Sequence, residues 1–133
     1  MVKKKLLEQI RIDFSIIIQK KEILGILLYG SYLMDKETSR SDIDICIVAP
    51  NEDIHQLISF ILQNVNVTSK KYDVRVFQEL PLYIKIQVIE NGELLYSANE
   101  LDLYEHFYLY RKLWNDQKHR QEVSKEELIS FLD

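Results

Sequence analysis

The spacing of apolar residues along the chain switches repeatedly between a helical period and the short runs typical of strands. These patterns predict strands at residues 23–29, 42–48, 71–77 and 93–96. They predict helices from the first residues through Ile17, and then at 51–65, 81–91, 97–114 and from 124 onwards. Residues 32–41 are mostly polar and are predicted to form a short helix or a loop.

Polar residues at the predicted helix starts suggest where the helices are capped. Asn51 precedes the cleanest helical stripe and is predicted to be its N-cap. Ser97 with Glu100, and Ser124 with Glu127, have the spacing of a capping box. We therefore expect two separate C-terminal helices, beginning at about residue 98.

The near alternation of helices and strands is typical of an α/β (α+β) fold, with a small mixed β-sheet flanked by helices. The chain has 133 residues, of which 47% are hydrophobic, and this size suits one compact core. We therefore expect a single domain over residues 1–133.

Composition argues against several classes of protein. The net charge of −4 is mild, so we expect no direct binding to nucleic acid. No apolar run approaches the roughly 20 residues that span a bilayer, and the first residues lack the apolar core of an export signal. We therefore expect a cytoplasmic protein that does not bind membranes. Cys46, the one cysteine, lies in an apolar strand and is expected to be a core residue, and no histidine pair has metal-ligand spacing.

Three aspartates in two predicted strands are the main candidates for chemistry. Asp42 and Asp44 alternate along one strand, so their side chains share a face while Ile43, its neighbour, points into the core. Two adjacent like charges are costly without a cation, and Mg²⁺ prefers such hard oxygen ligands. If the strand carrying Asp73 lies alongside, three carboxylates can hold two metal ions about 4 Å apart, as in-line phosphoryl chemistry requires.

Gly30 and Ser31 follow the first apolar strand and suggest an anion site. Glycine permits a tight turn and a close approach of the backbone to a ligand. Ser31 would lie near a helix N-terminus, where free N–H groups favour anions, and its hydroxyl could bind a phosphate oxygen.

Gly30-Ser31, ten intervening residues, and then Asp42-Ile43-Asp44 at the head of an apolar strand resemble the motif of the DNA polymerase β-like nucleotidyltransferases. The chain is most similar to the minimal (MNT) branch of that superfamily. The resemblance implies that Gly30 and Ser31 bind the triphosphate of ATP, that Asp42 and Asp44 bind metal, and that Asp73 is the third acidic residue. Mg²⁺, as two ions, is the implied cofactor.

The chain departs from the common family pattern directly after Ser31. Many relatives have a basic, glycine-containing turn where this chain has Tyr32-Leu33-Met34-Asp35. Arg40 is our candidate for the missing phosphate-binding charge, with Lys36 and Arg75 as alternatives.

The resemblance also implies a partner. Minimal MNT proteins are commonly paired with a helical HEPN-type toxin, and they act as antitoxins by attaching AMP to a tyrosine of that toxin. We therefore expect a protein adenylyltransferase that forms an oligomer with such a partner. Two alternatives stay open: a nucleotidyltransferase acting on a small molecule such as an aminoglycoside, and a weakly catalytic module that neutralises a helical partner by contact alone.

The predicted helix from Leu101 to Trp114 has aromatic residues around more of its circumference than one core stripe requires. We expect part of this aromatic surface to lie in the core, or part to contact a partner, and the pattern does not separate the two.

Overall fold

The computed structural model describes the backbone of residues 2–30 and 42–132, and the side chains of residues 4–30 and 42–120. The predicted helix or loop at residues 32–41 lies outside the described residues, as do Ser31 and Arg40. The strands are β1 Gly25–Tyr29, β2 Ile43–Val48, β3 Tyr72–Val76 and β4 Glu93–Ser97. The helices are α1 Val2–Asp13, α2 Ser15–Lys20, α3 Ile54–Asn64, α4 Val67–Lys70, α5 Leu82–Asn91 and α6 Glu100–Leu132, with a short 3₁₀ helix at Phe77–Glu79.

The four described strands form one mixed sheet in the order β3-β2-β1-β4. β1 lies between β2 and β4 and is antiparallel to both, whereas β2 and β3 are parallel. The predicted class, a small mixed sheet flanked by helices, is confirmed.

Alternate residues of β2 enter two hydrophobic clusters on opposite faces of the sheet. Ile43, Ile45 and Ile47 are buried on the face covered by α1, α2 and α3, as their spacing predicted. Cys46 and Val48 are buried on the opposite face, against α5 and α6. Each fully buried large apolar side chain contributes about 1.5–3 kcal/mol of transfer free energy, so both faces stabilise the sheet.

Two helix starts differ from the prediction. Asp53, not Asn51, caps α3, because its Oδ1 accepts a hydrogen bond of 2.9 Å from the Gln56 N–H. Asn99 accepts from the Asp102 N–H at 3.2 Å and begins α6. The capping box predicted at Ser97 does not form there, because β4 continues through Ser97, which pairs with β1.

The two C-terminal helices predicted from the sequence are one helix. α6 runs for 33 residues, from Glu100 to Leu132, and passes through Ser124 without a break. The sequence over that span contains neither glycine nor proline, so nothing in it forces the backbone to leave the helix. Within the described part of the chain, no helix is both long and apolar enough for a membrane crossing.

The aromatic residues of α6 divide between core and surface. Phe107 is buried, and Tyr110 and Trp114 pack against the same cluster. Tyr104 and Tyr108 point away from it and are 55% and 63% exposed. The expected core contribution is confirmed for one part of the circumference, and contact of the exposed part with a partner stays a prediction.

His106 of α6 lies in an aromatic cluster on the side of the helix that faces the sheet. Its ring centroid is 5.8 Å from that of Phe77 and 5.3 Å from that of Tyr110. Burial, and then the positive charge of Lys85, lower the pKa of His106 below its ordinary value of 6.5. Its Nε2 is buried without a hydrogen-bond partner among the described residues, which also favours the neutral ring.

We expect His106 to contribute a loss of stability as the pH falls below about 6.5, because the unfolded state then binds a proton that folded His106 resists. Thermal unfolding between pH 7.5 and pH 5 measures this loss. The loss should be smaller in His106→Gln, whereas His119→Gln, at an exposed position of α6, should follow the wild type. Identical pH profiles for the wild type and His106→Gln would contradict the assignment.

Candidate functional site

Three side chains form a row across the sheet at one end of its central strands. Asp44 of β2 is in register with Tyr29 of β1 on one side and with Asp73 of β3 on the other. Side chains of residues directly opposite each other on neighbouring strands point to the same face. The pairing of β2 with β3 therefore places Asp44 and Asp73 side by side, on the face that carries α5 and α6.

The carboxyl group of Asp44 is strongly perturbed by its surroundings. Burial, and then the negative charges of Asp73 and Asp42, raise the pKa of Asp44 from 3.8 to about 6. A hydrogen bond with Asp73 acts in the same direction, and the charge of Arg75 opposes it. The ionised form of Asp44 is therefore held in a site that favours an added cation.

Asp73 has a positively charged neighbour on its own strand. The Nε–H of Arg75 donates a hydrogen bond of 3.1 Å to Asp73 Oδ1. A surface carboxylate paired with Arg75 is the alternative to a third acidic residue of the site at this position. The structure contains the ion pair, and it also contains the carboxylate beside Asp44, so the two arrangements coexist.

Gly30 directly follows β1 and lies against the carboxyl group of Asp44. Its φ of +84° lies in the left-handed region that side chains other than glycine rarely adopt. A Cβ built on Gly30 would lie 2.1 Å from Asp44 Oδ2. Glycine is thus required here by the backbone conformation and by the close approach of the Asp44 carboxylate.

The chain was then compared with known proteins. Residues 13–101 match the family described as "Polymerase beta, Nucleotidyltransferase". The chain belongs to this nucleotidyltransferase family. A protein of Methanocaldococcus jannaschii named "Putative protein adenylyltransferase MJ1547" is 43% identical over 99 residues, which are 74% of this chain and 75% of that protein.

Solved structures with the same fold come from toxin–antitoxin complexes. A chain of a toxin–antitoxin crystal structure with AMP-PNP superposes with a TM-score of 0.62 at 17% identity, covering 97% of this chain and 99% of that one. A chain of the complex of tri-AMPylated Shewanella oneidensis HEPN toxin with MNT antitoxin gives 0.58 at 16% identity, covering 90% and 98%. At such low identity the likeness establishes the polymerase β-like fold of this nucleotidyltransferase.

Tyr29 is a residue of the nucleotidyltransferase site that we did not predict. Burial, and then the charges of Cys46, Asp44 and Asp73, raise the pKa of its phenol above the ordinary value of 10.0. It is therefore a neutral hydroxyl beside the carboxylates. Its position directly before Gly30 could have suggested it, but the register with Asp44 is set only when β1 pairs with β2.

The three aspartates predicted from the sequence are not equally close to one another in the structure. Asp44 and Asp73 are adjacent, and Asp42 is exposed at the rim, where its charge still reaches Asp44. Among the described residues, no three His, Cys, Asp or Glu side chains are grouped as metal ligands. Cys46 is buried as predicted, and burial raises the pKa of its thiol, so it is not a reactive group.

The described acids fit Mg²⁺ by their chemistry. Their donors are hard carboxylate oxygens, as Mg²⁺ prefers, and burial together with the nearby acids raises the pKa of Asp44, so that a bound cation would favour its ionised form. The nucleotidyltransferase can therefore offer a cation Asp44 and Asp73 at once, with Asp42 next to them.

Proposed function

We propose that this nucleotidyltransferase transfers AMP from ATP to a tyrosine hydroxyl of a helical HEPN-type toxin, and that it thereby acts as an antitoxin. The placement of Asp44 beside Asp73, against Gly30, carries the proposal, because it provides the acidic centre that nucleotidyl transfer needs. The name of the Methanocaldococcus relative supports a protein acceptor. The toxin–antitoxin complexes with the same fold support a HEPN partner.

The acidic residues have distinct parts in this proposal. Asp42, Asp44 and Asp73 would hold Mg²⁺, as two ions. The bound metal supplies polarisation of the attacking hydroxyl and neutralisation of the triphosphate. A bound cation would favour the ionised form of Asp44 over the protonated form. We propose that Asp73 accepts the proton that a phenol of pKa about 10 must lose before it attacks phosphorus.

We assign the triphosphate to Gly30 and Ser31, which follow β1 in the sequence. Gly30 lets the backbone and the ligand approach each other beside Asp44. We propose that the Ser31 hydroxyl donates to a phosphate oxygen and that Arg40 neutralises its charge.

The surface of α6 supports a protein acceptor. Leu101, Tyr104 and Tyr108 follow one face of the helix and are each more than half exposed. Aromatic side chains that lie on the surface in this way are enriched at protein interfaces. A partner protein docking on such a face would bring its own means of positioning the acceptor tyrosine.

The test is to incubate the purified chain with ATP, Mg²⁺ and a candidate partner, the protein encoded by the gene next to its own. We expect the partner to gain the mass of one or more AMP groups, and peptide sequencing to map them to tyrosine. Asp44→Asn should not transfer, whereas Asp116→Asn, an equivalent change at an exposed position of α6, should behave as the wild type.

Two other results would reject the proposal. AMP attached only to a small molecule or an RNA end would indicate a different acceptor. A tight complex without any AMP transfer would favour a module that neutralises its partner by contact.

A further inference from the structure

Arg75 combines an ion pair with a largely exposed side chain. It follows Asp73 by two residues on β3, so both side chains lie on the face of the sheet that carries Asp44. Its Nε is 3.1 Å from Asp73 Oδ1, yet 58% of the side chain is exposed. An exposed pair of this kind is weakly held, so the guanidinium can leave Asp73 at little cost.

The positive charge of Arg75 acts on the neighbouring side chains of the site. It lowers the pKa of both Asp44 and Tyr29, in opposition to the acids around them. Lys85 lies on the same face but is engaged elsewhere, with its Nζ 4.8 Å from the ring centroid of Tyr110 and 5.7 Å from that of Phe77. Arg75, by contrast, lies beside the acids and has a largely exposed side chain that can reorient.

Arg75 and a metal ion compete for the same oxygen. Asp73 Oδ1 accepts the Arg75 hydrogen bond in the ligand-free chain, and a divalent ion held by Asp73 would have to displace the guanidinium or share that carboxylate with it. Two cations on one carboxylate repel each other. A triphosphate that entered with the metal would offer the displaced guanidinium pairs of anionic oxygens, which its planar fork of N–H groups can bind.

We propose that Arg75 is a phosphate-binding residue that exchanges partners: it pairs with Asp73 in the free enzyme and binds a phosphate oxygen of the triphosphate when metal takes Asp73. The inference rests on the proposed function, since it uses the same acidic centre. Arg75 would thereby supply, from β3, a positive charge for the triphosphate in a chain whose sequence lacks the basic turn of many relatives.

The exchange predicts that removing Arg75 changes metal binding and nucleotide binding in opposite directions. In Arg75→Gln, Mn²⁺ alone should bind about threefold or more tightly, because a competing cation is gone. AMP-PNP with Mg²⁺ should bind about tenfold or more weakly, because a charge-assisted hydrogen bond to phosphate is lost. Isothermal titration calorimetry measures both affinities in the full chain without turnover.

Two further variants separate the charge from the geometry. Arg75→Lys should bind Mn²⁺ nearly as the wild type does and should recover part of the nucleotide affinity, because lysine keeps the charge but not the planar fork. Arg120→Gln removes an arginine at an exposed position of α6 and should leave both affinities unchanged. Melting curves for each variant confirm that the chain is folded at the temperature of the titration.

The inference is overturned if Arg75→Gln binds AMP-PNP as the wild type does, or if its Mn²⁺ affinity falls together with its nucleotide affinity. The latter result would mean that Arg75 only holds the Asp73 side chain in position and does not bind phosphate. The AMP-transfer assay with the partner is read separately. Opposite effects on Mn²⁺ and AMP-PNP in a chain that modifies no protein would support the role of Arg75 and reject the proposed acceptor.

Discussion

Asp44→Asn is expected to lower AMP transfer by at least about 100-fold, because even outer-shell partners of a metal site typically cost 10–100-fold when they are removed. Asparagine keeps the size of the side chain but cannot supply the negative charge that the cation requires. Initial rates at saturating ATP and Mg²⁺ measure the effect. Transfer at the wild-type rate by a folded Asp44→Asn chain would contradict the metal assignment.

The same substitution should stabilise the metal-free chain at neutral pH. The folded-state pKa of Asp44, about 6, lies above its ordinary value of 3.8, so its ionisation opposes folding and the penalty grows as the pH rises through that interval. Asparagine carries no such penalty. After allowance for solvent screening of this half-buried group, the gain is about 1 kcal/mol, or roughly 3–5 °C in Tm.

The pH dependence identifies the cause of that gain. The difference in Tm between Asp44→Asn and the wild type, measured with a chelator, should be largest above pH 6 and should shrink as the pH falls towards 4. Asp116→Asn provides the matched control, because it removes an exposed carboxylate from α6. A gain in Tm that did not depend on pH would point to a change in packing instead.

Gly30→Ala is expected to lower transfer by about 100-fold or more while destabilising the fold by only about 1–2 kcal/mol, the cost of a left-handed conformation for a residue with a Cβ. The new Cβ would overlap Asp44 Oδ2, which lies 2.1 Å away. That oxygen is at the end of a side chain that can rotate, so the fold can accommodate the methyl group. The displaced carboxylate can no longer share a cation with Asp73, and misplacement by about 1 Å can cost about 100-fold in rate.

Gly25→Ala provides a control on the same strand. Its Cβ would lie 3.1 Å from the side chain of Leu103 and does not meet an acidic residue. We expect this variant to lose some stability and to keep its transfer rate below its melting temperature. Gly30→Ala should also lose about 1–2 kcal/mol of stability, but its transfer rate should fall even at temperatures where it is fully folded. Equal rates for the two variants would contradict the role assigned to Gly30.

The amino-acid sequence by itself determined much of the acidic centre. The spacing of Gly30, Ser31, Asp42 and Asp44 resembles the motif of a known family, and the family match confirms that resemblance. Strand periodicity by itself predicted only that the two aspartates share one face and the isoleucines the other. The strands were found for the same local reason: their side chains follow a period of two or form continuous apolar runs.

Helix boundaries were predicted less well, because capping depends on where the neighbouring element stops. Ser97 could not cap α6, since pairing with β1 keeps it in β4, and Asn99 takes that role. Ser124 and Glu127 satisfy the pattern of a capping box, yet α6 passes through them, since the pattern does not itself interrupt a helix that lacks glycine and proline. Sequence patterns indicate several possible helix ends, and the pairing of the neighbouring backbone determines which of them forms.

Only the tertiary structure decided how the parts of the site meet. Asp73 is 29 residues beyond Asp44, and only the parallel register of β2 with β3 sets them side by side. The same pairing puts Arg75 over the acidic centre, and the antiparallel pairing of β1 brings Tyr29 and Gly30 against Asp44. Strand register is fixed by hydrogen bonds and packing between segments distant in sequence, and a shift of one residue would turn each of these side chains to the other face of the sheet.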